Sequence, residues 1–255
     1  MSTTVSTSSA AAYQDRHKPD EDGRTEYERT RGLRAAAVTE QQITSVFYQV
    51  FQKLEKPSST DKKFRILDQG AADLVLLPLY ENFAKFLETK GYSLEVVASD
   101  PNSDGAIRFL ERVQRQGFFG IDAAKDSLKQ NSKDGGTEKG YIAGSIQKGN
   151  LTLSFAHISE TDINDTRNVL GKDGEYDLTL CIYGVLAHIV NEEARIANEK
   201  LLDDLTAPHG KIMATLPTIQ RFRTEQKEFN SGRELSKKYP GIFQVAPEYT
   251  KPGAT

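Results

Sequence analysis

The stretch Phe64-Arg65-Ile66-Leu67-Asp68-Gln69-Gly70 decides the fold class of this chain. Its apolar run ends in an acidic residue, and the glycine two residues later lets the backbone turn tightly, as at the end of a buried strand. Four more short apolar segments have the pattern of strands, at 94–99, 151–156, 177–182 and 211–216. Helical patterns lie between them. Strands that alternate with helices predict an α/β fold built on a parallel sheet.

Helical periodicity begins before the first strand. Thr39 and Gln42 form a capping box, which satisfies backbone donors at the start of a helix. The apolar residues from Ile43 to Leu54 then recur at i, i+3, i+4 and i+7, which predicts one buried helical stripe. Later helices are predicted at 78–90, 104–116 and 191–205, the first with Gly91 as its stop signal.

Composition divides the chain into three parts. Residues 1–12 are rich in Ser, Thr and Ala and predict a disordered tail. Residues 13–58 combine a highly charged arm with the first helix, and the arm is either solvated or a lid over a ligand. Residues 59–255 form the main domain, with an insertion at 118–149 that predicts a short helix followed by a mobile loop. That insertion is either solvated or contacts a partner or substrate.

Composition also excludes several classes of function. The chain carries 33 Lys and Arg against 36 Asp and Glu, and this net charge of −3 supplies no global attraction for nucleic acid. Its apolar runs are far shorter than the roughly 20 residues of a membrane-spanning helix. Cys181 is the sole cysteine, which excludes an intramolecular disulfide framework and favours a reducing compartment. We therefore expect a cytoplasmic protein with neither a membrane nor a nucleic-acid partner.

Acidic residues at two strand ends mark the candidate binding site. In open α/β sheets, ligands bind beyond the carboxyl ends of the strands, near the point where the strand order reverses. Asp68 suits a ligand that carries an ammonium or hydroxyl groups, and Gly70 lets the backbone lie close to it. Asp100, followed by Pro101, can accept two hydrogen bonds from a ribose diol. Alternatively, Asp100 only caps the turn or helix that follows.

In this order, the segments resemble the class I S-adenosylmethionine-dependent methyltransferases. The first motif of that family, Asp-x-Gly-x-Gly-x-Gly after a hydrophobic strand, is matched at Asp68 and Gly70. Ala72 and Leu74 stand where further glycines are usual. The acidic residue of the second strand is matched by Asp100. The resemblance implies a Rossmann-like parallel sheet with an N-terminal helical extension.

Two later segments extend the resemblance. The stretch Tyr176-Asp177-Leu178-Thr179-Leu180-Cys181, with Val185-Leu186-Ala187-His188-Ile189 after it, is similar to the family segment Phe-Asp-Leu-Val-Leu…Val-Leu-His-His-Ile. Pro-His-Gly at 208–210 is similar to the Pro-Gly-Gly turn that precedes the family's fifth strand.

The resemblance implies S-adenosylmethionine as the cofactor and assigns a set of residues to it. Asp68 and Gly70 would border its methionine end, Asp100 would bind the ribose hydroxyls, and the loop 157–162 would border the adenine. The strand end from Cys181 to Tyr183 would face the methionine portion and the acceptor. The full predicted set of cofactor-binding residues is Asp68, Gly70, Ala72, Asp100, Pro101 and Cys181.

Catalysis of methyl transfer needs mainly the in-line placement of an acceptor, and a general base only where the acceptor is protonated. His188 is the candidate base, and the alternative is that it caps or packs the next helix. Tyr183 either shapes the acceptor pocket or packs. The acidic charge balance favours a small-molecule acceptor. A catalytically inactive member of the fold, acting as a binding or regulatory partner, is the alternative function.

The C-terminal region predicts an incomplete sheet. The family usually closes its sheet with a sixth and an antiparallel seventh strand, whereas only 241–245 has a strand-like pattern after residue 216. We therefore expect at most six strands and an exposed sheet edge, which a partner or a missing segment would complete.

Overall fold

The computed structural model describes residues 33–53, 62–71, 74–101, 103–133, 140–158, 163–182 and 192–215. All of them fall within one compact unit of the chain. The strands in these ranges are β1 Lys63–Gln69, β2 Ser93–Asp100, β3 Tyr141–Lys148, β4 Leu151–His157, β5 Tyr176–Cys181 and β6 Thr206–Ala214. The helices are α1 Leu33–Lys53, α2 Leu77–Thr89, α3 Ser103–Val113, α4 Ile121–Lys133, α5 Ile163–Leu170 and α6 Glu192–Leu205.

The six described strands form one sheet in the order β3-β4-β2-β1-β5-β6. β3 is antiparallel to β4, and every other neighbouring pair is parallel. The chain builds outward from β1 through β2 and β4 on one side, and through β5 and β6 on the other. The strand order therefore reverses between β1 and β5. This is the doubly wound arrangement of a Rossmann-like fold, and it confirms the predicted α/β class.

Helices cover both faces of the sheet. Buried residues of α1, α2, α3 and α4 share one apolar core with one side of the strands, which we call the α2 face. Residues of α5 and α6 form a second core on the other side, the α6 face. Because side chains alternate along a strand, Phe64 and Ile66 of β1 pack on the α2 face and Leu67 packs on the α6 face. Both faces of β1 are covered at its carboxyl half, where the four residues from Ile66 to Gln69 are all buried.

The N-terminal extension packs into the core. Ile43, Phe47 and Val50 of α1 are fully or almost fully buried, and the rings of Phe47 and Phe83 of α2 have centroids 4.9 Å apart. α1 is therefore a structural layer of the fold. The tail 1–12 and the arm before Leu33 lie outside the described residues. The described residues therefore do not test whether the arm is solvated or forms a lid.

The predicted end of α2 is confirmed in detail. The N–H of Gly91 donates to the carbonyl of Glu88, and the N–H of Tyr92 donates to the carbonyl of Leu87. Gly91 has φ +73°, in the left-handed region that glycine adopts without steric cost. This pair of hydrogen bonds is a Schellman motif, and it leads directly into β2.

Three expectations about the elements were wrong. α1 starts at Leu33, so Thr39 and Gln42 lie within the helix and form no capping box at its start. The predicted loop of the 118–149 insertion contains β3, which pairs with β4 along its length. β6 begins at Thr206, so 208–210 lie inside this strand, where its register with β5 shifts, and do not precede it.

The prediction of at most six strands agrees with the described residues, although the sixth is β3. Residues 241–245 lie outside the described part, as does the whole chain beyond residue 215, so the completion of the edge at β6 stays a prediction. None of the helices in the described ranges is long and apolar enough to cross a membrane.

Candidate functional site

The carboxyl ends of β1, β2 and β4 bring the predicted acidic residues to one edge of the sheet. Asp68 lies opposite Ala98 in the register of β1 and β2, and Asp100 lies two residues further along β2, opposite His157 of β4. By strand alternation, Asp68, Asp100 and His157 share the α2 face with Ile66, Val96 and Phe155. Asp68 and Asp100 therefore lie on the same face of neighbouring strands, two residues apart in register, at the edge where an α/β sheet binds ligands.

Asp68 is held by a hydroxyl from α2. The Tyr80 phenol donates to Oδ2 of Asp68 at 2.6 Å, and both side chains are buried, with Asp68 4% exposed. Burial, then the adjacent Asp68 charge and the hydrogen bond to it, raises the pKa of Tyr80 well above its ordinary value of 10.0. The phenol therefore remains a proton donor throughout the physiological range.

Gly70 makes the tight turn that its position predicted. It has φ +72°, and the N–H groups of Gly70 and Ala71 both donate to the carbonyl of Ser99, at 2.7 and 3.1 Å. The loop after β1 is thereby attached to the carboxyl end of β2. The same hydrogen bonds occupy the first two backbone donors after Gln69, so these donors serve the fold.

Leu74 adopts a left-handed backbone conformation that is usual for glycine. Its φ is +47°, which makes it the one non-glycine residue with positive φ in the described ranges. Leu74 stands at the last glycine of the family motif, and its side chain is 1% exposed within the core of the α2 face. Left-handed backbone costs a branched or bulky residue roughly 1–2 kcal/mol. Apolar burial offsets that strain.

Asp100 and Pro101 end β2 with part of their surface exposed. The N–H of Ile158 donates to the carbonyl of Asp100 at 3.3 Å, which ties the end of β2 to the residue after β4. His157 is the last residue of β4, although the sequence placed it in the following loop. Its ring lies 5.2 Å from the ring of Tyr141 at an interplanar angle of 29°. His157 and Tyr141 thus border the site beside Asp100.

Cys181 lies on the other side of the sheet from the two acidic residues. It is fully buried in the core of the α6 face with Leu67 and Leu201, and its Sγ lies 3.6 Å from Oε1 of Gln69. The structure therefore does not bring Cys181 together with Asp68 and Asp100. Its placement beside a cofactor's methionine portion is not supported, and its surroundings are those of a core thiol.

A buried amide pair borders the site on the α6 face. Gln69 donates from Nε2 to Oδ1 of Asn198 at 2.8 Å, and Asn198 donates back from Nδ2 to Oε1 of Gln69 at 3.1 Å. This pair fixes α6 to the end of β1. The sequence carried no signal for it, because the partners are 129 residues apart.

A second charged group lies at the amino end of the sheet. The Asp177 carboxylate accepts a hydrogen bond from the backbone N–H of Arg65 at 2.8 Å, and Nε2 of His209 lies 3.2 Å from it. Burial raises the pKa of Asp177, while the Arg65 hydrogen bond and His209 oppose that shift. These groups connect β1, β5 and β6.

Several predicted site residues cannot be placed. Ala72, Tyr183 and His188 lie outside the described residues, as do 159–162, most of the loop expected to border an adenine. Their roles stay predictions. Across the described ranges, no group of three or more His, Cys, Asp or Glu side chains could hold a metal ion.

Comparisons with known proteins add one structural similarity. No protein-family model matches the chain, and no curated protein matches it. Among solved structures, the chain is similar to a protein of Methanococcus maripaludis whose description as an S-adenosyl-L-methionine-dependent methyltransferase is itself provisional. The match covers 81% of this chain and 76% of that one, at 11% identity and a TM-score of 0.32. At this level of similarity, the fold assignment rests on the topology of the chain's own sheet.

Proposed function

We propose that this chain binds S-adenosylmethionine at the carboxyl ends of β1, β2 and β4 and transfers its methyl group to a small-molecule acceptor. One observation carries the proposal. Asp68 and Asp100 occupy the same face of neighbouring strands, next to the point where the strand order reverses. A ligand in that position would meet two carboxylates and a tightly turned loop.

The spacing of the two acidic residues suits different parts of one ligand. Neighbouring strands are about 4.8 Å apart and each residue advances about 3.3 Å, so their Cα atoms are roughly 8 Å apart. Asp100, the more exposed of the two, would accept hydrogen bonds from the ribose hydroxyls. Asp68, almost fully buried beside Gly70, would face the cationic methionine end. The acidic side chains present therefore fit this cofactor.

Methyl transfer requires few catalytic groups from the protein. If bound here, S-adenosylmethionine would supply an electrophilic methyl group, which an acceptor could take while the electron pair of the broken carbon–sulfur bond stays on sulfur. The protein's residues would hold the acceptor in line and exclude water. His188 as a base for a protonated acceptor and Tyr183 as a wall of its pocket remain part of the proposal.

Calorimetric titration with S-adenosylmethionine tests the binding site. We expect the Asp100→Ala variant to bind about tenfold to a hundredfold more weakly, because hydrogen bonds to a charged acceptor contribute about 1.5–3 kcal/mol. Asp126→Ala is the matched control, since Asp126 is an exposed aspartate on α4. Unchanged affinity in Asp100→Ala would refute the ribose assignment. Absence of binding to the unaltered chain would refute the proposed function.

A separate observation favours a second candidate function. The backbone N–H groups of Gly70 and Ala71 are engaged by Ser99, and Leu74 fills the place of a glycine. A loop specialised for packing favours a non-catalytic member of the fold that serves as a binding or regulatory partner. Formation of S-adenosylhomocysteine with a panel of small acceptors separates the two. Tight cofactor binding without turnover on any acceptor would support the second candidate.

A further inference from the structure

The bond between Tyr80 and Asp68 joins a neutral donor to a buried acid at the site. The phenol oxygen and Oδ2 are 2.6 Å apart, Tyr80 is fully buried and Asp68 is 4% exposed. A carboxylate removed from water favours its neutral form unless donors stabilise its charge. A short O–H···O⁻ hydrogen bond is among the strongest such stabilisers.

Packing fixes the position of the donating hydroxyl. The ring of Tyr80 stacks on Phe47 of α1, with centroids 6.0 Å apart and planes 11° from parallel. Leu76 and Leu77 at the start of α2 are buried in the same core. The hydroxyl therefore has little freedom to turn away from Asp68, and α1 contributes to the site through Phe47 without reaching it.

We propose that Tyr80 is a positioning residue that keeps the Asp68 carboxylate ionised and fixed in place for the cationic end of a bound ligand. This inference rests on the proposed function, which supplies that ligand as S-adenosylmethionine. An ionised Asp68 would attract the ammonium and sulfonium charges, whereas a protonated one would not. Tyr80 would thereby set the lower pH limit of binding.

Few other titratable groups face Asp68 from the described elements. Asp100 of β2 and His157 of β4 share its face of the sheet, Leu180 of β5 lies opposite it, and Phe47 of α1 stacks on Tyr80. Asp100 and His157 remain unchanged in every variant used below. The comparison of Tyr80→Phe with and without Asp68→Asn, described below, therefore isolates the Tyr80–Asp68 pair.

Tyr80→Phe removes the hydroxyl and keeps the ring. We expect the ratio of its Kd for S-adenosylmethionine to that of the unaltered protein to rise at least about tenfold from pH 8 to pH 6, as the buried acid becomes protonated. The ratio also cancels any titration of the ligand itself. Tyr176→Phe is the matched control, because its buried hydroxyl donates to the carbonyl of Leu170. Its ratio should not change with pH.

A ligand-free measurement separates this inference from the proposed function. Carbon-13 NMR of the Asp68 carboxyl, assigned with Asp68→Asn, should show protonation at a higher pH in Tyr80→Phe than in the unaltered protein. In an Asp68→Asn background, Tyr80→Phe should add no pH dependence. If the unaltered chain fails to bind S-adenosylmethionine, the proposed function is overturned, and the NMR titration alone decides whether Tyr80 controls Asp68. A flat Kd ratio or an unchanged titration of Asp68 overturns the role of Tyr80.

Discussion

The two ends of the parallel sheet hold their buried carboxylates in different ways. At the amino end, Asp177 is satisfied by the backbone N–H of Arg65 and by His209, which are groups on the two neighbouring strands. At the carboxyl end, Asp68 accepts from the Tyr80 hydroxyl, a donor on a helix. Asp177 at the amino end connects neighbouring strands, whereas Asp68 at the carboxyl end lies where β1 meets a loop.

Backbone conformation shows the same contrast. The turns that lead into β2, β4 and β5 at the amino end place Gly91, Gly149 and Gly174 in the left-handed region. The loop after β1 at the carboxyl end places Gly70 there as well, but it also places Leu74 there, which is not a glycine. Strained backbone is common at functional sites, because the surrounding structure offsets the cost of geometry that a ligand needs. This difference is the one we expect if the amino end mainly stabilises the fold and the carboxyl end binds the proposed ligand.

Replacing Leu74 should have the largest effect on stability. We expect Leu74→Ala to lower the free energy of unfolding by about 3 kcal/mol, because a cavity replaces a buried leucine while the left-handed strain remains. Leu74→Gly should be less destabilising than Leu74→Ala by about 0.5–1 kcal/mol, since glycine removes that strain. Urea denaturation of both variants measures the difference.

The order of the two substitutions is the informative result. At Leu110, a fully buried position in α3, glycine should be worse than alanine by about 1 kcal/mol, as is usual within a helix. A Leu74→Gly variant that is equally or more destabilised than Leu74→Ala would show that the loop after β1 carries no strain. The difference between the two ends of the sheet would then rest only on how each end holds its carboxylate.

Much of the fold was predictable because the parallel strands are short segments rich in apolar residues that alternate with helical patterns. β3 was missed for a physical reason. Its register with β4 shifts between Ile142 and Gly144, so the buried residues Ala143 and Ile146 are three apart and break the period of two. The start of α1 was misplaced because the Ala-rich segment before Thr39 continues the helix, overriding a local capping signal.

The position of a candidate site residue was predictable where it depends only on the end of a strand. Asp68 and Asp100 could be placed because each ends an apolar run. Cys181 lies on the other face, since Leu180 lies opposite Asp68 and a neighbouring residue points the other way, but this register depends on strand pairing and is not visible in the sequence. The bond from Tyr80 and the conformation of Leu74 arise from tertiary packing, which no local pattern encodes.

Asp177→Ala should separate stability from binding. Loss of this acceptor leaves the partly buried N–H of Arg65 without its carboxylate partner, so we expect the free energy of unfolding to fall by about 1–3 kcal/mol. Affinity for S-adenosylmethionine should stay within about twofold, because Asp177 lies at the opposite end of the sheet. His209→Ala, which removes a half-exposed partner, should cost less than about 1 kcal/mol. A large loss of affinity in Asp177→Ala would contradict the division of roles between the two ends.

The smallest effect concerns the pH dependence of stability at the amino end. Burial raises the pKa of Asp177 in the folded protein above its ordinary value of 3.8. At pH values between the ordinary pKa and the raised pKa, the folded protein therefore binds more protons than the unfolded chain. Stability contributed by this group must therefore fall as pH rises through that window, with a slope of at most about 1.4 kcal/mol per pH unit. Asp177→Asn, made in a His209→Ala background to remove the side-chain partner of Asp177, keeps an acceptor for Arg65 and should abolish this slope. Chemical denaturation of the His209→Ala protein with and without Asp177→Asn, from pH 4 upward, gives the difference directly. A stability difference that grows in favour of the aspartate as pH rises would show instead that its carboxylate is stabilised by the fold.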